Sequence, residues 1–287
     1  MNPSRPARVD PKMSICELCV SDTSFAVDVE LAAELGYQGL SIDERKLSTG
    51  RDAEQLAMFR ASGLRAAACC ASVTSILSFG PDGPWPVPAD PKARVDAICA
   101  GIERLAPFHP GTVFCATGDP GQMSRSDART IVIAGLQKIK KTADHFGVTL
   151  SIEPLTARPG ALGSLITTMA DTFELLADAG EPDIKLIVDI WHLFDTRGFL
   201  DDLRRHAGRV SAIHVCDYRK PRSAADRLMP GDGESGVVAI FRAAEEGGFA
   251  GWYDLEVFSD ELSQLEPREF MRRGAEATRR CLEASRN

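Results

Sequence analysis

Four residues able to ligate a metal each close an apolar run in the second half of this chain. Glu153 ends VTLSIE, Asp189 ends IKLIVD, His214 ends VSAIH and Glu256 ends WYDLE. Three carboxylates and one imidazole offer hard oxygen donors and one nitrogen, the set that suits a divalent ion such as Mg²⁺, Mn²⁺ or Co²⁺, with Zn²⁺ a further candidate. Any one of them alone is weak evidence, because a solvated carboxylate at a strand end is common. Their shared position at successive strand ends is the stronger signal. His192 follows Asp189 by three residues in DIWH. If Asp189 points into a pocket, the chain turning beyond it brings His192 over the same pocket. Asp217 lies three residues past His214 and either accepts from its second ring N–H or begins the following loop. Asp254 alternates onto the same side as Glu256, and one of these two carboxylates could instead pair with an arginine.

Ligands spread over so many runs must be gathered by a repeating architecture. The pattern predicts strands over 13–20, 39–42, 64–70, 112–117, 148–153, 184–189, 210–215 and 252–257. Helices are predicted over 25–35, 51–61, 92–105, 126–146, 165–179, 199–206, 236–246 and 267–284. In the helix over 126–146, Ile131, Ala134, Leu136, Ile139 and Ala143 form the expected apolar stripe. Apolar strands alternating with helices indicate an α/β fold with parallel pairing. Eight such units are most simply closed as a single (β/α)8 TIM barrel, whose C-terminal mouth collects residues from several strand ends. A doubly wound sheet is the alternative. The whole of 1–287 is expected to be one domain, with residues 1–12 a flexible N-terminal extension.

Two connections stand out. Residues 71–91 are rich in Gly and Pro and hold Phe79 and Trp85, so a lid over a small ligand and a surface insertion are both open. The loop 217–235 holds Pro230-Gly231-Asp232-Gly233, a tight turn suited to a mobile or substrate-shaping role. That turn lacks the phosphate-binding GxxxxGK[ST] pattern, and no GxGxxG segment follows a strand elsewhere. Nucleotide cofactors are therefore not expected.

The 287 residues carry a formal charge of −8, which argues against nucleic acid as a partner. The densest basic run, Arg219, Lys220 and Arg222, reads as a solvated loop. No run approaches the roughly 18 apolar residues of a membrane span, so no membrane partner is expected. The eight cysteines mostly sit in apolar runs, where a free thiol acts as a small hydrophobe. A reducing cytoplasm is the simplest reading. Cys16-Glu17-Leu18-Cys19 has a CxxC spacing, but it falls on a predicted strand rather than at a strand-to-helix turn.

The segments SIEP, VDIWH, SAIHVCD, RLMPGDGE and GWYDLEVFS resemble those of the xylose-isomerase-like TIM barrels. That group of sugar and sugar-phosphate isomerases and epimerases includes ketose 3-epimerases, hydroxypyruvate isomerase and inosose dehydratase. The resemblance covers nearly the whole chain. It implies one divalent metal on Glu153, Asp189, His214 and Glu256. It also implies Glu153 and Glu256 as the catalytic acid/base pair, and His192 and Arg227 as contacts to substrate oxygens, with Arg222 a less secure match than Arg227. Ketose 3-epimerases carry a further Glu just beyond the first metal Glu, where this chain reads PLTARPG. The departure weakens a free-ketose assignment and leaves Arg158 as a candidate contact to an anionic group, beside Trp85 as a candidate cover. The related apurinic endonucleases use many histidines, and the five here are too few.

The expected activity is that of a metal-dependent isomerase or epimerase acting on a small sugar, ketose or keto-polyol. It proceeds by proton abstraction through an enediolate that the metal stabilises. The alternatives are a dehydratase of an inosose or keto-acid, and a non-catalytic sugar-binding or partner subunit. The expected partner is a small sugar, polyol or keto-acid, with a homodimer or homotetramer as the assembly considered.

Overall fold

Every apolar run singled out in the sequence forms a parallel strand in the computed structural model, which describes residues 10–20, 22–79, 87–156, 162–219 and 226–287. The staves are β1 Lys12–Cys16, β2 Gly39–Ser41, β3 in two pieces (Arg65–Ala66 and Ala68–Ser75) and β4 Thr112–Ala116. They continue as β5 Leu150–Glu153, β6 Lys185–Asp189, β7 Val210–Val215 and β8 Trp252–Leu255. Around the sheet the order is β3, β2, β1, β8, β7, β6, β5, β4 and β3 again. The two ends of the sheet are therefore the two pieces of β3. Only Ala67 separates them, and it bonds both ways: its N–H donates to the Leu40 carbonyl and its carbonyl accepts from Thr112 N. The barrel closes on itself, leaving no edge strand.

Helices α1 Phe25–Glu34, α2 Asp52–Ser62, α3 Pro91–Leu105, α4 Arg125–His145 and α5 Met169–Asp178 wrap the first five staves. After β6 come a short helix α6 Ile190–Leu193 and α7 Phe199–His206, then α8 Val237–Glu246 and α9 Pro267–Arg286. Side-chain caps set several starts: Ser24 on α1, Asp90 on α3, Ser124 on α4 and Thr168 on α5 each accept from a backbone N–H of the first turn. None of these helices is long and apolar enough to cross a membrane.

Outward residues of the strands pack against the helices in the main core, while the barrel interior holds a smaller cluster centred on Phe114, Ile187 and Trp252. Below the mouth, Thr112, Ser151 and Ser211 link their hydroxyls at 2.7 Å each across β4, β5 and β7. These inward polar groups are satisfied by one another, as burial requires.

The structure corrects several expectations. The first strand stops at Cys16, and Glu17–Val20 is a 3-10 turn, so Cys16 and Cys19 do not share a strand; all eight cysteines are free thiols. Lys12 pairs with Trp252 in the sheet and so is no part of a flexible extension. β3 runs on to Ser75, shortening the connection taken to be 71–91. At its base the buried Arg94 donates to the Ser75 carbonyl at 2.9 Å and the Pro88 carbonyl at 3.0 Å. The stripe of α4 is rotated from the one expected: Ala128, Val132, Leu136, Ile139 and Ala143 are buried, while Ala134 is exposed and Ile131 half-buried. Trp85, Arg158 and Arg222 lie outside the described residues.

Candidate metal centre

Strand register brings the ligand candidates to one level. Asp189 pairs with His214, His214 with Asp254, and Asp254 with Ser14, so four adjacent staves point these side chains inward together. Glu153 ends β5, and Glu256 follows β8, its N–H bonded to the Val215 carbonyl at 3.0 Å. One donor atom from each of Glu153, Asp189, His214 and Glu256 lies within 4.8 Å of the others, and all four residues are buried. The expected convergence on the mouth is therefore present.

His214 is the hub. Its Nδ1 stands 3.0 Å from Glu153 Oε1 and 3.4 Å from Glu256 Oε1. On its far side Nε2 faces Asp254 Oδ2 at 3.6 Å, and Asp254 Oδ1 accepts from Ser14 Oγ at 2.6 Å. The Phe114 ring meets the imidazole edge-on, with centroids 5.2 Å apart. Asp254 is thus the carboxylate behind the imidazole, on the side away from Glu153 and Glu256, which Nδ1 faces. Of the two readings of Asp217, the structure has it at the start of the following loop. Its carboxylate accepts from the N–H groups of Gly231, Gly233 and Ser235 and from Ser235 Oγ. The turn suggested as mobile is held by a buried anion.

Arg227 crosses the mouth from a short antiparallel ribbon, Asp217–Tyr218 with Arg227–Leu228, where the sequence suggested only loop. Its Nη1 donates to Glu256 Oε2 at 2.8 Å and Nη2 lies 3.1 Å from Asp189 Oδ2. The guanidinium is stacked near Trp191 and Phe258, 5.3 and 4.7 Å from their centroids. Asp189 spends its other oxygen as the cap of α6, accepting from Trp191 N at 2.7 Å. That helix is why His192 reaches the pocket. Thr156 N donates to His192 Nδ1 at 2.9 Å, so the proton sits on Nε2, which lies 3.6 Å from Asp189 Oδ2.

Burial and mutual charge set the ionisation. Burial lifts the Glu153 carboxyl to about 7, against the pull of His214. For Glu256 burial also acts upward, but His214 and Arg227 outweigh it and hold the group below its usual range. Burial opposes the His214 imidazolium, yet Glu256 and Glu153 raise its pKa well above the ordinary value. Asp254 is pushed by burial to about 6, with His214 and Ser14 opposing.

The donor chemistry fits a divalent cation. Arg227 reaches Glu256 and Asp189, Glu153 leans on His214, and the buried Asp189 Oδ2 has no hydrogen bond in good geometry despite the nearby guanidinium. Buried charge of one sign needs a partner of the other. Above the cluster, a cleft enclosing about 550 Å³ of empty space, mouth included, is lined by these residues, His192 and apolar walls. Leu18, Phe79, Phe114, Leu155 and Phe258 form those walls. Sequence reasoning proposed Phe79 as part of a cover but missed the others; Phe258, two residues past Glu256 in alternation, was the one legible in principle.

Comparison with known proteins places this geometry. A family model described as xylose isomerase-like TIM barrel matches residues 29–281. An inosose dehydratase from Erwinia tasmaniensis is 24% identical over 149 residues, 45% of this chain and 48% of that protein. An inosose isomerase from Halalkalibacterium halodurans is 21% identical over 159 residues, 54% of this chain and 55% of the relative. Each match thus spans about half of the relative's own length. Among solved structures, that of the IolI protein with a bound zinc atom superposes with a TM-score of 0.78 at 15% identity, covering 95% of this chain and 98% of that one.

Proposed function

The chain belongs to the xylose isomerase-like TIM barrel family, and from that premise we propose that it is a divalent-metal-dependent isomerase or epimerase of a small sugar, ketose or keto-polyol. The observation that carries the reading is the convergence of Glu153, Asp189, His214 and Glu256 within 4.8 Å beneath a cleft. These four residues would hold the ion. Their three carboxylates favour Mn²⁺, Mg²⁺ or Co²⁺, and the zinc atom in IolI keeps Zn²⁺ in the set. Bound there, the ion supplies Lewis acidity that polarises a substrate carbonyl and stabilises an enediolate.

The chain's own groups move the proton. Glu153 and Glu256 come from staves with two others between them, so they approach the cleft from different sides. One carboxylate takes the proton from the carbon beside the carbonyl, and the other returns one. Return to the opposite face of the same carbon gives an epimer; return to the former carbonyl carbon gives an isomer. His192, with its proton on Nε2, and Arg227 hold substrate oxygens. The apolar walls exclude water from the carbanion.

The name of the Erwinia relative favours a second reading. In it the same abstraction is followed by loss of a β-hydroxyl as water, which makes the protein a dehydratase. The test is incubation of metal-loaded protein with ketoses, inososes and small keto-acids in deuterated water, followed by NMR. Deuterium entering next to the carbonyl, abolished by chelation and by Glu256→Gln, supports proton abstraction, and the product separates epimer, isomer and alkene-derived ketone. Absence of both exchange and metal binding would turn the reading toward a non-catalytic sugar-binding or partner subunit.

A further inference from the structure

The strand starts, at the opposite end of the barrel from the metal centre, surround a second cavity that encloses about 730 Å³ of empty space, mouth included. The indole of Trp252 lies at its base. Glycines permit that placement: a Cβ on Gly39 would come 2.6 Å from indole Cζ3, and one on Gly111 would come 2.7 Å from Nε1.

Cations gather around this ring from staves far apart in sequence. Lys12 Nζ, at the start of β1, lies 5.3 Å from the Trp252 ring centroid, and the Arg65 guanidinium, at the start of β3, lies 5.6 Å from it. Lys185, at the start of β6, is the third, its Nζ only 3.5 Å from the Gly208 carbonyl. Among the described residues, no acidic side chain lines the cavity. Elsewhere, basic side chains of this acidic protein find carboxylates, as Arg104 does with Asp52, Arg129 with Asp178 and Arg204 with Glu246. Burial, Arg65 and Lys185 all push the Lys12 ammonium below its ordinary value, the mark of cations crowded together without an anion among them.

We propose that this cavity binds a multiply charged phosphate-type oxyanion, either free or carried on a small metabolite. Three cations converging on a concave site supply the charge, the cavity is of the size that holds a small molecule, and among the described residues no carboxylate on its walls competes for the cations. The site is separate from the metal centre and does not depend on the reaction assigned to it.

The experiment uses the full chain labelled with ¹⁵N at the indoles of its three tryptophans, assigned by single Trp→Phe variants. Inorganic phosphate and glycerol phosphate are titrated at constant ionic strength. Trp252 reports this cavity, and Trp191, under Arg227, reports the metal centre. The expected result is a saturable shift of the Trp252 signal. Lys12→Met with Lys185→Met should weaken it at least tenfold, leaving metal content and unfolding midpoint as in the parent. Arg65→Met, tested separately, should weaken it as well. Tighter binding of glycerol phosphate than of phosphate assigns the site to an ester; the reverse assigns it to the free ion. No Trp252 shift, a shift of Trp191 alone, or equal affinity in the double variant would overturn the proposal.

Discussion

Replacing Arg227 with Met separates the roles of the two cations that the carboxylate cluster can recruit. In the metal-free protein the guanidinium donates to Glu256 Oε2 at 2.8 Å and stands 3.1 Å from Asp189 Oδ2, with both partners buried. Methionine fills much of the space between Trp191 and Phe258 but leaves two buried carboxylates without their counter-charge. Breaking a buried ion pair from one side costs about 3–5 kcal/mol. For a chain of this size that corresponds to a fall in unfolding midpoint on the order of 10 °C. A divalent ion on the same carboxylates restores the missing positive charge. The fall should therefore shrink to less than half when the comparison is repeated in saturating Mn²⁺. Differential scanning fluorimetry of parent and variant, with chelator and with Mn²⁺, reads both quantities. An equal fall under the two conditions, or none in chelator, would refute the idea that arginine and metal serve the same carboxylates.

Other outcomes follow from the same geometry. Asp254→Asn removes the anion that faces His214 Nε2 at 3.6 Å, so metal affinity should drop about 10- to 100-fold; competition against a chelator checks it, and unchanged affinity would show that the imidazole needs no such backing. His192→Ala should leave metal content intact while lowering kcat/KM by on the order of 10²-fold, the range of a single positioned proton donor; loss of the metal would instead make His192 part of its binding. In the metal-free fold Glu153 is lifted to about 7, above its unfolded value of about 4.3, so the folded state holds the extra proton between these values. Its contribution to metal-free stability is full below the lower value and is lost as pH rises through the upper one. Metal must displace that proton and the one that Glu256 and Glu153 hold on the His214 imidazolium, so affinity should strengthen as pH rises, by up to about tenfold per pH unit for each proton displaced. The midpoint gain from Mn²⁺ is then larger at pH 8 than at pH 6; a gain that does not vary with pH would contradict the assignment of Glu153 and His214 as ligands.

What could be read from the sequence was whatever the local pattern carries. Apolar runs closed by a polar residue mark strand ends, and Glu153, Asp189, His214 and Glu256 were found that way. Their common level depends on cross-strand register, which no local pattern records. For the same reason Asp217, three residues away, was named as a candidate partner of His214 and Asp254, its neighbour in the sheet, was not. The short helix α6 was hidden because it spans only four residues and its cap is Asp189 itself. The last residues of β3, SVTS, look like loop because their polar side chains alternate, yet they pair on toward Ala116. Cations at the starts of β1, β3 and β6 gave no signal at all, since only barrel closure brings them to Trp252.

The central claim is that Glu153, Asp189, His214 and Glu256 hold one divalent ion, and anomalous diffraction from crystals grown with Mn²⁺ tests it most directly. The expected result is a single strong peak enclosed by the four side chains, within bonding distance of a ligand atom from each, and absent in Asp189→Asn. A map with no peak there, or with its only peak elsewhere on the chain, would contradict the claim.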